Sequence, residues 1–274
     1  MTGRSQPIEI TKIRADLRES VRDRVAIEEP LEIRLGFETE GERQTKSVSI
    51  TMRTPGNDEE LALGFLFSEG ILRACGDVAL VKPCQGDNTL RVELESGVTI
   101  DLDRLQRHFY TTSSCGVCGK ASLDALSVQG RKPLPMQPGQ FARTMIVDIP
   151  DRLRAAQQTF EETGGLHAAA AFDTQGELVV VREDVGRHNA VDKVVGALLS
   201  GGDLPATGLG LMVSGRASFE LMQKALAAGF PLLAAVSAPS SLAVELAREF
   251  NVALIGFLRG DSFNIYAGEE RIAR

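Results

Sequence analysis

Two of the four cysteines stand three positions apart in the run Ser113-Ser114-Cys115-Gly116-Val117-Cys118-Gly119-Lys120. Thiols at that spacing can hold a metal, close a disulfide or carry a transferable sulfur atom. A structural zinc needs four ligands, commonly two such pairs, whereas this chain has a single CxxC and its other cysteines, Cys75 and Cys84, lie well upstream. A dithiol oxidoreductase pair ends a strand and opens a long helix. Here glycines flank the pair, and only a brief helical pattern, Ala121–Leu126, follows. An inert structural pair is the plain alternative. Reactivity is favoured by the hydroxyls of Ser113 and Ser114, by Lys120 and by helix N-terminal N–H groups, each of which lowers a thiol pKa. An accessible loop also suits sulfur exchange, which requires thiolate attack. The thiols alone leave these readings open.

The second concentration of chemistry is a set of polar loops late in the chain: Arg182–Asn189, Ser214–Ser218, Ser237–Ser241 and Leu258–Ser262, the last preceded by Phe257. They carry Arg182, Arg187, Arg216 and Arg259 together with His188, Ser214, Gly260 and Asp261. Guanidinium groups and helix N-termini suit phosphate, and Asn189 is placed to cap the helix that follows. No Walker A or GxGxxG pattern is present, which excludes a standard P-loop or Rossmann site. The plain reading is that each loop is a satisfied turn, with Glu183, Asp184 and Arg187 pairing among themselves. His167 invites comparison with zinc deaminases, which use His-x-Glu followed by Pro-Cys-x-x-Cys. Position 169 is alanine, and the CxxC comes before the histidine instead of after it.

The elements that must position these groups fall into two sets. Residues 1–20 are charged and weakly periodic and are expected to be a flexible arm. Residues 21–110 predict a small α+β domain: strands at Val25–Glu28, Leu31–Glu38 and Lys46–Met52, a helix capped at Asn57-Asp58, then strands at Val78–Lys82, Leu90–Leu94 and Val98–Leu102. Residues 111–140 read as the CxxC loop and a Pro-rich linker. In 141–274 a helix opens at Pro150-Asp151, a hairpin runs through Leu166–Phe172 and Leu178–Val181, and strands and helices then alternate to the end. That rhythm predicts a largely parallel sheet covered on both faces, with ligands at the carboxyl ends of its strands.

The 274 residues carry 30 basic and 37 acidic side chains, a net charge of −7 that argues against a nucleic-acid coat. No apolar run is long enough to cross a membrane, and Met1–Ile10 has no apolar signal core. With few cysteines, the expectation is a cytoplasmic globular protein.

Taken together, Cys115–Gly119, Arg182–Lys193 (REDVGRHNAVDK), Ser214–Glu220 (SGRASFE), Ser237–Val244 (SAPSSLAV), Gly256–Tyr266 (GFLRGDSFNIY) and Pro55–Leu72 resemble the FdhD family of sulfur carriers required for formate dehydrogenase. The resemblance implies an α/β fold, a cytidine-deaminase-like three-layer sheet domain behind a smaller α+β domain, in a homodimer. It further implies a sulfurtransferase that takes sulfur from a cysteine desulfurase as a persulfide, with Cys115 the bearing thiol and Cys118 its relay or resolving partner. The acceptor would be the molybdenum (or tungsten) bis-guanine-dinucleotide cofactor of formate dehydrogenase, held by Phe257–Ser262, Arg182, Arg187, His188, Ser214 and Arg216, with no metal of the protein's own. Rival readings are a non-catalytic cofactor chaperone, which needs the loops but not the thiols, and a dithiol oxidoreductase, which needs only the thiols.

Overall fold

The computed structural model describes residues 3–84, 88–100 and 132–273. Cys115 and Cys118 lie outside the described residues; Cys75 and Cys84 are free thiols.

The chain opens with a hairpin of β1 (Ser5–Arg14) and β2 (Leu17–Ala26), paired in unbroken register. This replaces the expected flexible arm. Its apolar residues Ile8, Ile13 and Leu17 are exposed, so no buried face imposes the period-two pattern by which strands are read. The hairpin is tied down through Ser5 and Arg24, both of which reach Glu162.

The first globular unit is a four-stranded sheet of order β4-β3-β6-β5, built from β3 (Glu29–Thr39), β4 (Glu42–Arg53), β5 (Val78–Pro83) and β6 (Thr89–Leu94). Leu31, Ile33, Leu35 and Phe37 alternate into its core, where they meet Leu61 and Leu66 of helix α1 (Asp58–Ser68). Val98–Ile100 form no strand, in contrast to the expectation.

The second unit follows β7 (Phe141–Ala142), which pairs with the late strand β14 (Ile272–Ala273). Helix α2 spans Arg143–Ala156 and contains Pro150 instead of beginning there. Burial of Ile146, Ile149 and Leu153 at helical spacing outweighs the hydrogen bond that proline removes. A short helix, α3 (Gln158–Thr163), comes next. The main sheet has six strands in the order β13-β12-β11-β10-β8-β9. They are β8 (His167–Phe172), β9 (Leu178–Asp184), β10 (Gly210–Val213), β11 (Leu232–Ala235), β12 (Ala253–Arg259) and β13 (Ser262–Ala267). Only the β10–β11 and β11–β12 pairings are parallel; β8, β9 and β13 join through antiparallel pairings, so the sheet is mixed where a largely parallel one was expected.

Each central strand is buried on both faces. Leu211, Val213, Leu233 and Leu254 meet α4 (Arg187–Gly201), α5 (Phe219–Ala228) and α6 (Ser241–Glu249) on one side. Met212, Leu232, Ala234 and Ile255 meet α2 on the other. That two-sided burial is why these strands read as unbroken apolar runs.

The two units meet where α1 crosses α4. A Cβ on Gly64 would stand 1.8 Å from the Asp192 carbonyl oxygen, and one on Gly196 1.8 Å from that of Glu60. Glycine at both places is what lets the backbones touch. The Pro-rich stretch before β7 is pinned to the second unit by buried Arg271, whose guanidinium donates to the carbonyl oxygens of Asn251 and Pro135 and to Gln140 Oε1.

Candidate functional site

The parallel strands end at Val213, Ala235 and Arg259, and β9 ends beside them at Asp184 while β8 begins there at His167. Ser214, Val236, His167 and Asp184 therefore share one edge of the sheet. The loops after β10 and β11 are zipped together beyond the strands: Ser237 N–H donates to the Gly215 carbonyl, Ala217 N–H to that of Ala238, and Ser240 N–H to that of Ala217. This fixes where α5 and α6 begin. Ser240 caps α6 by accepting from Ala243 N–H, whereas Ser218, at the start of α5, makes no such cap. In that first turn the Glu220 carboxylate accepts from its own N–H and from the Ser218 hydroxyl.

Helix α4 starts at the same edge. Its N-cap is Gly186, whose N–H donates to Asp184 Oδ1. The expected cap, Asn189, lies inside the helix, where its Nδ2 donates to the Met52 carbonyl and to Asp184. Asp184 is fully buried and also binds Lys193 Nζ at 2.7 Å and Thr54 N–H. Burial pushes the Lys193 ammonium below its ordinary range, opposed by the Asp184 carboxylate. The first turn of α4 is thereby anchored from below to both units of the protein.

Above that anchor, Arg187, His188, His167, Ser214 and Ser218 come together around Gly215. A Cβ on Gly215 would lie 3.5 Å from His167 Nδ1 and 3.7 Å from Arg187 Cδ. Arg187 Nε is buried and finds no hydrogen-bond partner among the described residues. His188 Nε2 stands 3.5 Å from Ser218 Oγ and 4.0 Å from Glu220. Burial, with the nearby Arg187 and Lys224 charges, drops the His188 imidazolium to about 4. Burial and then Arg187 lower His167 as well. Both rings are therefore neutral at pH 7, and the fixed positive charge of the cluster is the guanidinium.

The remaining residues expected at the site are dispersed. Arg182 lies within β9 and makes a two-pronged ion pair with Glu60 of α1, at 2.5 and 2.6 Å. It ties the units together and its guanidinium is committed. Phe257–Ser262 form a β12–β13 hairpin instead of a strand-to-helix loop. Leu258 is buried in the core against α2, while Arg259, Gly260, Asp261 and Ser262 are exposed at its tip. Phe257 has φ of 53° at a break in the β12–β13 register, held by its N–H to the Ser237 carbonyl. This left-handed conformation is costly for a bulky residue, and such strain concentrates at ligand sites. The Arg259 guanidinium sits 5.8 Å from the Phe257 ring centroid. Two strand spacings, roughly 10 Å, separate β12 from β10, so Arg259 and Arg187 flank the edge from opposite sides. Arg216 is exposed in the β10 loop between them.

Sequence reading missed three residues. The plain reading pairs Glu183, Asp184 and Arg187 with one another, whereas Asp184 instead pairs with Lys193, nine positions on, a contact no local pattern announces. Glu183 is buried and accepts from Thr159 and Phe160 N–H, so it caps α3 from a neighbouring strand. No local sequence signal announces such a long-range cap.

A family model described as the FdhD/NarQ family matches residues 26–273. The chain is 54% identical to the sulfur carrier protein FdhD of Streptomyces coelicolor over 260 residues, covering 92% of this chain and 89% of that protein. It is 44% identical to the protein of that name from Sulfurisphaera tokodaii, covering 97% and 98%. Among solved structures, one from Desulfotalea psychrophila whose description names a formate dehydrogenase accessory protein superposes with a TM-score of 0.75 at 23% identity, covering 99% of this chain and all of that one.

Proposed function

The chain belongs to the FdhD/NarQ family, and from that premise we propose that it is a sulfurtransferase that loads sulfur onto a molybdenum guanine-dinucleotide cofactor destined for formate dehydrogenase. Its relatives bear the name sulfur carrier protein, and the sheet edge supplies what such a carrier needs for its acceptor. The observation that carries the reading is the buried Arg187 Nε without a partner. A buried, unsatisfied donor on a permanent cation is costly unless something meets it, and phosphate matches guanidinium geometry. Neutral His188 and His167 and the Ser214 hydroxyl add neutral donors. Arg259 and Arg216 extend the cationic reach across the edge, as two phosphate groups of a dinucleotide require.

The thiols supply the transfer. The Cys115 thiolate attacks the outer sulfur of a desulfurase cysteine persulfide. The donor S–S bond breaks, the donor cysteine leaves as thiolate, and the S–SH group forms on Cys115. Cys118 then attacks the inner sulfur, forming the Cys115–Cys118 disulfide and releasing hydrogen sulfide, which exchanges with an oxo ligand of the bound cofactor to give water. A thiol reductant resets the pair. The deaminase-like layering serves as a scaffold without deaminase equipment, since Ala169 stands where the catalytic glutamate would be. The reading places the protein in the cytoplasm as a homodimer.

The test is intact-mass and peptide analysis after incubation with a cysteine desulfurase and cysteine, paired with complementation by Cys115→Ala. The expected result is one added sulfur on Cys115 and no active formate dehydrogenase from the variant. If neither thiol gains sulfur and Cys115→Ala supports full client activity, the protein is a cofactor chaperone instead. If the pair cycles between thiol and disulfide without acquiring sulfur, it is a dithiol oxidoreductase.

A further inference from the structure

The four-stranded sheet of the first unit packs α1 on one face, and among the described residues its other face is open. Side chains that alternate with the core residues point outward there, in rows across the strands. One row is Arg34, Arg91 and Lys82 on β3, β6 and β5, because Arg91 is the register partner of both others. Like charges in facing positions destabilise a sheet, so three adjacent cations are a cost that packing alone does not explain. Two carboxylates answer them from below. Glu93 meets Arg43 at 3.0 Å and Lys82 at 3.5 Å, and Glu32 meets Arg34 at 2.7 Å. Arg91 Nε lies 2.6 Å from Glu93 but out of line, and makes no hydrogen bond. Gly36 leaves the space for this arrangement, since a Cβ there would overlap the Glu93 carboxylate lying across the strand.

The acids are covered and the cations are not. The Glu93 and Glu32 side chains are 9% and 22% exposed, against 44%, 40% and 46% for Arg34, Arg43 and Lys82. Solvent therefore meets a positive patch on a chain of net charge −7, with exposed Glu38, the register partner of Arg43, as the exception. Ile50, Met52 and Leu80 are exposed on the same face. A nucleic acid would use the cations and leave these apolar side chains unburied. A second copy related by a two-fold axis here would set the cation row against itself. A different protein that offers carboxylates around an apolar anchor satisfies both features. The position of the face says which protein. Helix α1 covers the sheet's other side and crosses α4, whose first turn carries Arg187. A partner on the open face thus leaves the nucleotide edge clear. The client enzyme must meet the cofactor at that edge, and the sulfur donor need not.

We propose that the open face of the first sheet, with Arg34, Arg91 and Lys82 at its centre and Ile50 and Leu80 beside them, docks the sulfur-donating partner through carboxylates set around an apolar anchor on that protein. The proposal rests on the function argued above for the identity of the partner.

The test is biolayer interferometry of the full chain on a purified cysteine desulfurase at low and high salt, with sulfur loading of Cys115 followed by mass and GDP affinity by calorimetry. Each measurement is repeated on Lys82→Glu and on Ile50→Ser, with thermal melting of every protein. Ile50→Ser changes no charge, so it keeps the test independent of any strain that Lys82→Glu places on Glu93. The expected result is desulfurase binding that each variant weakens by about tenfold or more and that salt weakens in the parent. Loading should slow in step, and GDP affinity should stay unchanged. Should both variants bind and load like the parent, the docking face is wrong and the carrier function stands. Binding that depends on Lys82 and Ile50 without sulfur gain on Cys115 keeps the docking face and brings down the carrier function. A parent that does not bind the desulfurase overturns the proposal. So does a dimer in light scattering that Ile50→Ser dissociates, which would make the face an interface between copies.

Discussion

The seam between the two units and the edge of the six-stranded sheet are made from the same residue types, and helix α4 runs through both. In the seam every charge is answered: Lys193 by Asp184 and the Thr54 carbonyl, Lys224 by Asp192 at 2.7 Å, Arg182 by Glu60. Ser68 completes Asp192, and Asn189 bridges Asp184 to the first unit. One turn away, at the start of the same helix, Arg187 keeps a buried Nε unanswered. Partnership therefore separates the two regions, and composition does not. A buried charge with complete partners holds a structure together, and one left incomplete marks where a ligand completes it. The arrangement also has a mechanical consequence. The anchors under α4 hold its first turn rigidly, so the edge cluster is set before any ligand arrives.

The sharpest way to break this contrast is to unpair the seam. Lys193→Met leaves the buried Asp184 carboxylate without its cation, and chemical denaturation should show a loss of about 3–5 kcal/mol. Adding Asp184→Asn should recover part of that loss, since two residues sharing one interaction are not additive. A single-variant loss below about 1 kcal/mol would mean that the pair is not structural.

At the edge the pattern should invert. Arg187→Met removes an unsatisfied donor, so folding stability should stay within about 0.5 kcal/mol of the parent. GDP affinity measured by calorimetry should fall by about ten- to a hundredfold, the value of one charge-assisted contact to phosphate. Lost stability with unchanged affinity would move Arg187 into the structural set.

The smallest effect concerns pH. His188 has a pKa of about 4 in the folded chain against an ordinary 6.5. Above the ordinary value both folded and unfolded chains are neutral at this position. Between the two values the unfolded chain takes up a proton that the folded chain refuses, so stability falls as pH drops through that window. His188→Gln should flatten part of that decline in denaturation midpoints taken at neutral and mildly acidic pH. The gain should stay under about 1 kcal/mol because solvent screens a partly exposed ring. His167 is lowered for related reasons and should account for a share of what remains. An unchanged decline in the variant would remove His188 from the cluster's electrostatics.

Much of the fold and part of the site could be read along the chain. Leu31, Ile33, Leu35 and Phe37 announce a strand, and Leu61 and Leu66 a helix, because one-sided burial leaves a period in the residues themselves. Unbroken apolar runs such as Leu232–Ala235 announce buried strands for the complementary reason. Runs of Ser, Gly and Arg after those strands placed Arg187, His188, Ser214 and Arg216 at one edge, since strand order and chain direction alone determine where such loops emerge. Proximity across the fold left no such trace. That Arg182 is consumed by Glu60, 122 positions away, that Leu258 turns into the core, that Gly186 and not Asn189 caps α4, and that Arg187 Nε is buried without a partner among the described residues all depend on which elements touch. Hydrogen bonds and ion pairs form at distances of about 3 Å, whereas the sequence records only neighbours along the chain. It could therefore name the groups able to bind an anion, and only the packed structure decided which of them remain free to do so.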